Sequence, residues 1–287
     1  MPKRRAPEAF VISGRTSIIA HLGVPTGSFK APMIYNPWFE AKGIDTVVVP
    51  MGCEAEDFPA FLRLLFRLRN IAGALITMPH KVVAAGLLDE ASTVVKVCGA
   101  CNAVKRDADG RLIGDMFDGE GFVRGVERKG RVIAGASALV IGNGGAGSAI
   151  AASLAGRGAA RVGLQDVNPA ATQKLAASLR THYPETVVET GTTDPAGFDI
   201  VVNATPLGMR EGDPMPVDTG RIDPSALVGE VVLTTEETPF LAAAKARGCT
   251  VQVGTDMLFE QIPAYLDFFG YPEATADKLR ALAKIEY

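Results

Sequence analysis

Residues Ala138-Leu139-Val140-Ile141-Gly142-Asn143-Gly144-Gly145-Ala146-Gly147 decide the fold. Four apolar residues form a short buried strand, Gly-x-Gly-x-x-Gly follows at once, and an alanine-rich helix is expected from Ala146 to Arg157. Between a strand and a helix, that hexamer carries a mechanism. Gly142 permits the tight turn, Gly144 lets the backbone approach a pyrophosphate, and Gly147 lets helix and strand pack closely. The free amides around Asn143, Gly145 and Ala146 then face phosphates. The competing reading is a glycine-rich turn with no ligand.

The next strand, Val162 to Gln165, ends at Asp166, which lies 19 residues after Gly147. An acidic residue there accepts hydrogen bonds from the adenine-ribose hydroxyls and repels a 2′-phosphate. Val167, Asn168 and Pro169 follow, with no arginine, so the cofactor expected is NAD rather than NADP. Alternatively, Asp166 only caps the Asn168-Pro169 turn. The uncharged run 132–156 is 25 residues long, enough to cross a bilayer. Its six glycines and three serines make it small rather than greasy, and the phosphate turn accounts for it.

The chain of 287 residues suggests two domains. Hydrophobic residues at 47% and charged residues at 21% are the balance of a globular protein. Lys and Arg number 29 against 32 Asp and Glu, which argues against a nucleic-acid binder carried by bulk positive charge. The three histidines, His21, His80 and His182, nearly exclude a His-rich metal site. Cys98-x-x-Cys101 has no second pair to complete a zinc site; it reads as two small thiols rather than a redox pair. Met1 to Pro7 is basic but lacks the apolar stretch of a signal peptide. A cytoplasmic protein, monomer or homodimer, acting on a small molecule is expected.

Strands are expected at Phe10 to Ile12, Thr46 to Pro50 and Ala74 to Met78, with helices at Ala31 to Lys42, Glu56 to Asn70 and from Pro79 to Leu88. This alternation implies right-handed crossovers and a mostly parallel sheet. After the glycine loop come a helix at Pro169 to Leu179 and strands at Thr186 to Glu189, Ile200 to Val202, Val231 to Leu233 and Val251 to Val253. The tail from Thr255 is helical, broken at Pro263 and at Gly270-Tyr271-Pro272, and packs back on the first unit. The expected architecture is two α/β domains flanking a cleft. A discontinuous substrate domain comprises residues 1–117 and 255–287, and residues 118–254 form a Rossmann-type, doubly wound parallel domain.

Several further blocks stand in one order: Gly23-x-Pro25 with Lys30, Pro32 and Asn36; Thr77-x-Pro79-His80-Lys81; Gly99-Ala100-x-Asn102; Gly114-x-x-x-Asp118-Gly119-x-Gly121; Asn203-Ala204-Thr205-Pro206-Leu207-Gly208-Met209; Glu237-Thr238-Pro239; and Gly254-x-x-Met257-Leu258-x-x-Gln261. In these the chain resembles the shikimate/quinate dehydrogenase family over essentially its whole length. The resemblance implies hydride transfer between a nicotinamide and a secondary alcohol. It maps the catalytic pair onto Lys81 and Asp118 and substrate contacts onto Thr77, Asn102 and Gln261. It puts the nicotinamide against the Asn203 to Leu207 loop (Ala204, Thr205 and Pro206 included), Gly254 and Met257, although Met257 fits a core role nearly as well. Oxidising an alcohol carbon requires its hydroxyl to lose a proton. A lysine in water, with a pKa of roughly 10.4, is a poor base at neutral pH, so the cleft must tune it.

The chain departs from the family where a carboxylate binds. The usual Ser-x-Ser before Pro32 reads Phe29-Lys30-Ala31, and the usual Asn, Tyr and Asn-Thr-Asp positions read Leu75, Leu233 and Met116-Phe117-Asp118. Each lost charge-assisted hydrogen bond is worth roughly 1.5–3 kcal/mol. The expected substrate is therefore a compact, shikimate-like cyclic alcohol or ketone with a smaller or differently placed polar group. The alternatives are a true shikimate or quinate dehydrogenase that holds the carboxylate through Ser28, Lys30 or Tyr35, and a non-catalytic nicotinamide-binding regulator.

Overall fold

A computed structural model describes residues 11–285. The chain begins with β1 (Ser17–Gly23), α1 (Ala31–Lys42), β2 (Thr46–Gly52), α2 (Phe58–Leu65), β3 (Ile71–Ile76), α3 (Lys81–Ala85), the short β4 (Glu90–Ala91), α4 (Thr93–Cys98), β5 (Ala103–Arg106) and β6 (Leu112–Asp115). These strands form one sheet in the order β2-β1-β3-β5-β6-β4. β1 lies parallel to β2 and β3, as helical crossovers require, whereas β5 runs antiparallel to β3 and β6.

The chain continues through α5 (Asp118–Arg128), β7 (Ser137–Ile141), α6 (Gly145–Gly156), β8 (Arg161–Gln165), α7 (Pro169–His182), β9 (Val187–Thr190), β10 (Ile200–Asn203), β11 (Leu227–Glu230), α8 (Pro239–Ala246) and β12 (Thr250–Gln252). The second sheet is wholly parallel, in the order β12-β11-β10-β7-β8-β9. Strand order reverses between β7 and β10. In such sheets ligands bind outside the carboxyl ends of the strands at that reversal.

α9 (Gly254–Phe268) and α10 (Ala276–Leu282) return to the first sheet. Phe259, Ile262, Leu266 and Leu279 share an apolar cluster with Ile19, Trp38 and Phe39, and Lys105 Nζ donates to the Phe268 carbonyl at 2.7 Å. α5 is wedged between α6 and α9. A Cβ on Gly119 would stand 2.1 Å from the Ala149 carbonyl oxygen of α6, and one on Gly121 would stand 2.5 Å from Gln261 Cβ of α9. Only glycine permits these approaches, and they set the position of Asp118 at the start of α5.

Several expectations are corrected. Val11 and Ile12 are irregular and exposed, and Phe10 lies outside the described residues. The strand is instead Ser17–Gly23, whose Ile19, Ala20 and Leu22 are fully buried between two parallel neighbours. The Glu56 to Asn70 helix ends at Leu65, and the chain turns so that Arg67 and Arg69 lie beyond it. Val231 to Leu233 is not strand; β11 precedes it, ending in a glycine and a buried glutamate that pattern reading passes over. Pro263 does not break α9, because burial of Ile262, Ala264, Tyr265 and Leu266 holds the helix through it. β4, β5, β6, α4 and α8 have no counterpart in the sequence reading.

Candidate active site

Lys81 opens α3 and Asp118 opens α5, and Lys81 Nζ donates to Asp118 Oδ2 at 2.7 Å. The lysine side chain is 23% exposed and the aspartate 9%, so the pair is sheltered but reachable. Asn102 Nδ2 donates to Asp118 Oδ1 at 2.8 Å, and Asn102 Oδ1 accepts the Phe117 N–H at 2.9 Å. One carboxylate thus holds Lys81 with one oxygen and is fixed by a buried amide with the other. Upstream, His80 is buried, stacked on Phe58 at 4.1 Å and bonded through Nε2 to the Cys53 carbonyl at 2.8 Å. Its ring anchors the residue next to Lys81.

The other expected substrate contacts are spread over several elements. Thr77 presses on Gly23, where a Cβ would stand 2.3 Å from Thr77 Cγ2 and 3.0 Å from the Phe29 ring. Phe29 stacks on His21 at 4.0 Å between centroids. Gln261 is buried, with Oε1 lacking a partner, and lies against Gly121, one helical turn from Asp118. Ala31 starts α1 half-buried, while Tyr35 lies deep in the apolar cluster with Leu75 and Phe117. Burial pushes the Tyr35 phenol well above its ordinary value. Leu233 is 44% exposed.

On the second sheet the glycine loop follows β7. Gly142 has φ +93°, and a Cβ on Gly147 would stand 1.8 Å from the Gly142 carbonyl oxygen. Around Gly144 and Gly145 a Cβ would meet nothing within 4 Å. Asn143 is buried. Ser148 Oγ donates to its carbonyl and Thr172 Oγ1 to its Oδ1, both at 2.8 Å, but its Nδ2 has no partner. Ala146 lies in the uncapped first turn of α6. Asp166 Oδ2 accepts the Asn143 N–H at 2.5 Å, and Oδ1 accepts the Asn168 N–H at 2.7 Å, so it caps the turn and also braces the loop. An open cradle, an orphaned buried amide and free helix amides fit the pyrophosphate of a dinucleotide.

The loop after β10 faces that cradle across the strand reversal, and the Ala204 N–H donates to the Ile141 carbonyl at 2.7 Å. Asn203 is fully buried. Its Oδ1 accepts from the Thr205 N–H and hydroxyl at 3.1 and 2.6 Å, and its Nδ2 donates to the Leu207 carbonyl at 3.0 Å. The turn is therefore rigid, with Pro206 exposed. Gly254 opens α9, and a Cβ there would stand 2.0 Å from the Val232 carbonyl oxygen. Met257 is buried in the apolar cluster of α5 and α6.

Two polar residues of this region were not among the expected site residues. His21 sits two residues before Gly23, and burial, reinforced by the Lys81 charge, holds its imidazole down at about 4. Glu230 ends β11 fully buried, and Thr238 Oγ1 donates to its Oε2 at 2.7 Å. Burial pushes this carboxyl up to about 7, against the hydrogen bonds of Thr238 and Asn203. A polar residue inside a strand beside a Gly-rich block was the available signal for each. Cys98 and Cys101 are free thiols, pushed by burial to about 11 and about 12, which keeps them protonated. No helix of the described residues is long and apolar enough to cross a membrane.

A doubly wound dinucleotide fold in one chain with a sheltered lysine–aspartate pair defines a nicotinamide-dependent dehydrogenase acting on CH–OH groups. The sequence model of the shikimate dehydrogenase substrate binding domain matches residues 22–104. A shikimate dehydrogenase (NADP(+)) of Acidiphilium cryptum is 33% identical over 276 residues, covering 95% of this chain and 98% of the relative. Among solved structures, quinate dehydrogenase from Corynebacterium glutamicum in complex with NAD superposes with a TM-score of 0.84 at 28% identity, covering 93% of this chain and 98% of its own. The 5-ketofructose reductase of a Gluconobacter strain superposes with a TM-score of 0.86 at 25% identity, covering 94% and 98%. The chain belongs to the shikimate dehydrogenase family.

Proposed function

We propose that this chain is an NAD-dependent dehydrogenase of a compact, shikimate-like cyclic alcohol or ketone that lacks the carboxylate of shikimate. The observation that carries the reading is the 2.7 Å contact between Lys81 and Asp118, fixed by Asn102. The bound nicotinamide supplies the hydride acceptor or donor. Lys81, as the neutral amine, takes the hydroxyl proton when the alcohol is oxidised, and as the ammonium it returns a proton when the ketone is reduced. Asp118 holds the Lys81 ammonium and aligns the same hydroxyl. Gln261, with its unpaired Oε1, accepts from a further substrate hydroxyl, and Thr77 borders the same space. Residues 1–117 with 255–287 form the substrate-binding unit, and residues 118–254 hold the dinucleotide.

Phe29 and Ala31 support the absence of a carboxylate, because neither side chain offers a donor. A buried carboxylate without donors is expensive, and no such site persists unless something pairs with it. The named activity of the 5-ketofructose reductase involves an uncharged ketose, so the architecture is compatible with a neutral substrate. Asp166 supports NAD: a carboxylate in that place repels a 2′-phosphate. The name of the A. cryptum relative favours a second reading, an NADP-dependent shikimate dehydrogenase with a different carboxylate anchor. Steady-state oxidation of neutral cyclic alcohols, shikimate and quinate with NAD and NADP separates the two. Shikimate with NADP as the best pair would overturn the first reading.

A further inference from the structure

His21 is a buried polar group within reach of the Lys81 charge that the proton-transfer scheme leaves unused. It lies on β1, the strand between β2 and β3, and its row neighbours there are Pro50 and Leu75. Pro50 has no N–H to offer and the Leu75 side chain has no polar atom. The imidazole is 9% exposed, and its Nδ1 is buried without a hydrogen-bond partner. One face of the ring is covered by Phe29, whose own edge reaches the surface of Gly23 beside Thr77. The Lys81 charge reaches the imidazole and adds to burial in keeping it unprotonated at neutral pH. A neutral imidazole has one N–H and one lone pair. It can therefore pair with a hydroxyl or a carbonyl but offers no positive charge to an anion. Buried polar atoms in folded proteins are mostly paired, so this orphan sets His21 apart from its strand neighbours.

We propose that the stacked His21–Phe29 pair is the specificity wall of the substrate site, with the His21 imidazole pairing with an uncharged hydroxyl or carbonyl and the Phe29 ring packing against the substrate's carbon skeleton. The inference rests on the dehydrogenase reading above and names its substrate class: neutral, compact cyclic polyols and hydroxyketones. A carboxylate in the same place would face a phenyl ring and an uncharged imidazole, while the nearby cation, Lys81, is already committed to Asp118. The pair therefore selects by leaving the anion unpaired as well as by contacting the neutral group.

The test compares the unmodified protein with His21→Leu, His21→Asn and Phe29→Ser. Each is assayed for NAD reduction with cyclohexane-1,2-diol, myo-inositol, shikimate and quinate. The inference expects a neutral member to be the best substrate. It expects His21→Leu to raise the KM for that member at least tenfold with a smaller change in kcat and unchanged NAD binding. His21→Asn, which keeps a polar atom near the Nδ1 position, recovers part of the loss, and Phe29→Ser shifts preference towards the carboxylated pair. An unchanged KM in His21→Leu, with neutral substrates still turned over, would overturn the wall and leave the dehydrogenase reading standing. Shikimate or quinate oxidised best by the unmodified protein would overturn the substrate reading itself. Should His21→Leu fold poorly, NMR of the unmodified protein decides, since three histidines give few imidazole signals. A saturable shift of the His21 ring nitrogens on adding the best neutral alcohol supports the proposal, and an unmoved His21 signal rejects it.

Discussion

Asn102 spends its side chain on Asp118: Nδ2 donates to Asp118 Oδ1 at 2.8 Å while Oδ1 accepts the Phe117 N–H at 2.9 Å. With relative exposure of 0%, it is the buried bracket of the proposed proton-transfer pair. Asn102→Ala leaves a carboxylate oxygen and a backbone N–H without these partners, at about 1–3 kcal/mol each. The expected result is lower stability and a kcat reduced at least tenfold, with KM less affected. Urea unfolding alongside steady-state kinetics checks it; a kcat within twofold of the unmodified value would show that Asp118 needs no bracket.

Lys81→Ala removes the proposed proton-transfer group and one partner of Asp118. Turnover is expected to fall by about 10²–10⁴-fold, the usual contribution of general acid–base catalysis. Cofactor binding is expected to be retained, because the lysine lies on α3 and the dinucleotide cradle on the second sheet. Equal turnover in both proteins would remove Lys81 from the mechanism.

The glycine loop separates packing from binding. Gly147→Ala would put a Cβ 1.8 Å from the Gly142 carbonyl oxygen and should destabilise the fold by several kcal/mol. Gly144→Ala meets nothing within 4 Å, so its stability should stay within about 0.5 kcal/mol of the unmodified protein. Its NAD affinity should nonetheless fall, since the added methyl occupies the pyrophosphate's approach. Calorimetric titration with NAD and thermal unfolding distinguish the two effects.

Asp166→Ala is expected to relax discrimination against NADP. It also removes the brace on the Asn143 N–H and the cap on Asn168, so NAD affinity should fall as NADP affinity rises. The ratio of kcat/KM for the two cofactors is the measure, and tighter NADP than NAD binding in the unmodified protein refutes the NAD assignment.

Two buried groups oppose one another in the pH dependence of stability. His21 has a folded value of about 4 against 6.5. The unfolded chain therefore binds the extra proton between those values, and stability is lost as pH falls through that window. Glu230 has a folded value of about 7 against 4.5. The folded chain holds the extra proton, so its contribution is present below 4.5 and lost as pH rises to 7. Each spans about 3 kcal/mol. Their slopes cancel between pH 4.5 and 6.5, where both act. Glu230→Gln should therefore unmask a rise of stability with pH over that interval, seen as a displaced urea midpoint. Curves for the two proteins that stay parallel across the interval would show that Glu230 titrates normally.

The second sheet was legible where local chemistry is strong. The strand into Gly142, the expected helix from Ala146, and Asp166 at the end of the next strand are all short-range patterns. α1 was read to the residue from Pro32 onwards, and the structure shows Gly43 closing it in the left-handed conformation. The first sheet was harder. β1 looks unremarkable as Ser-Ile-Ile-Ala-His-Leu-Gly, while Phe10 to Ile12 looks more strand-like; burial between β2 and β3 chooses the former. β5 and β6 are short and β4 has two residues, too few for a period to show, and tertiary pairing alone makes them strands.

By itself, the sequence determined a glycine-rich turn between strand and helix, an acidic residue at the end of the next strand, and a lysine and an aspartate inside recognisable blocks. Turn and helix-start chemistry is local, so it survives being read one residue at a time. The tertiary structure decided which groups meet. Gly119 and Gly121 let α5 slot between α6 and α9 and bring Asp118 to Lys81, which lies 37 residues away in the chain. β1 carries His21 beneath Phe29, at the position where the family pattern has a serine. Those meetings depend on close packing between elements distant in sequence, and no local pattern encodes them.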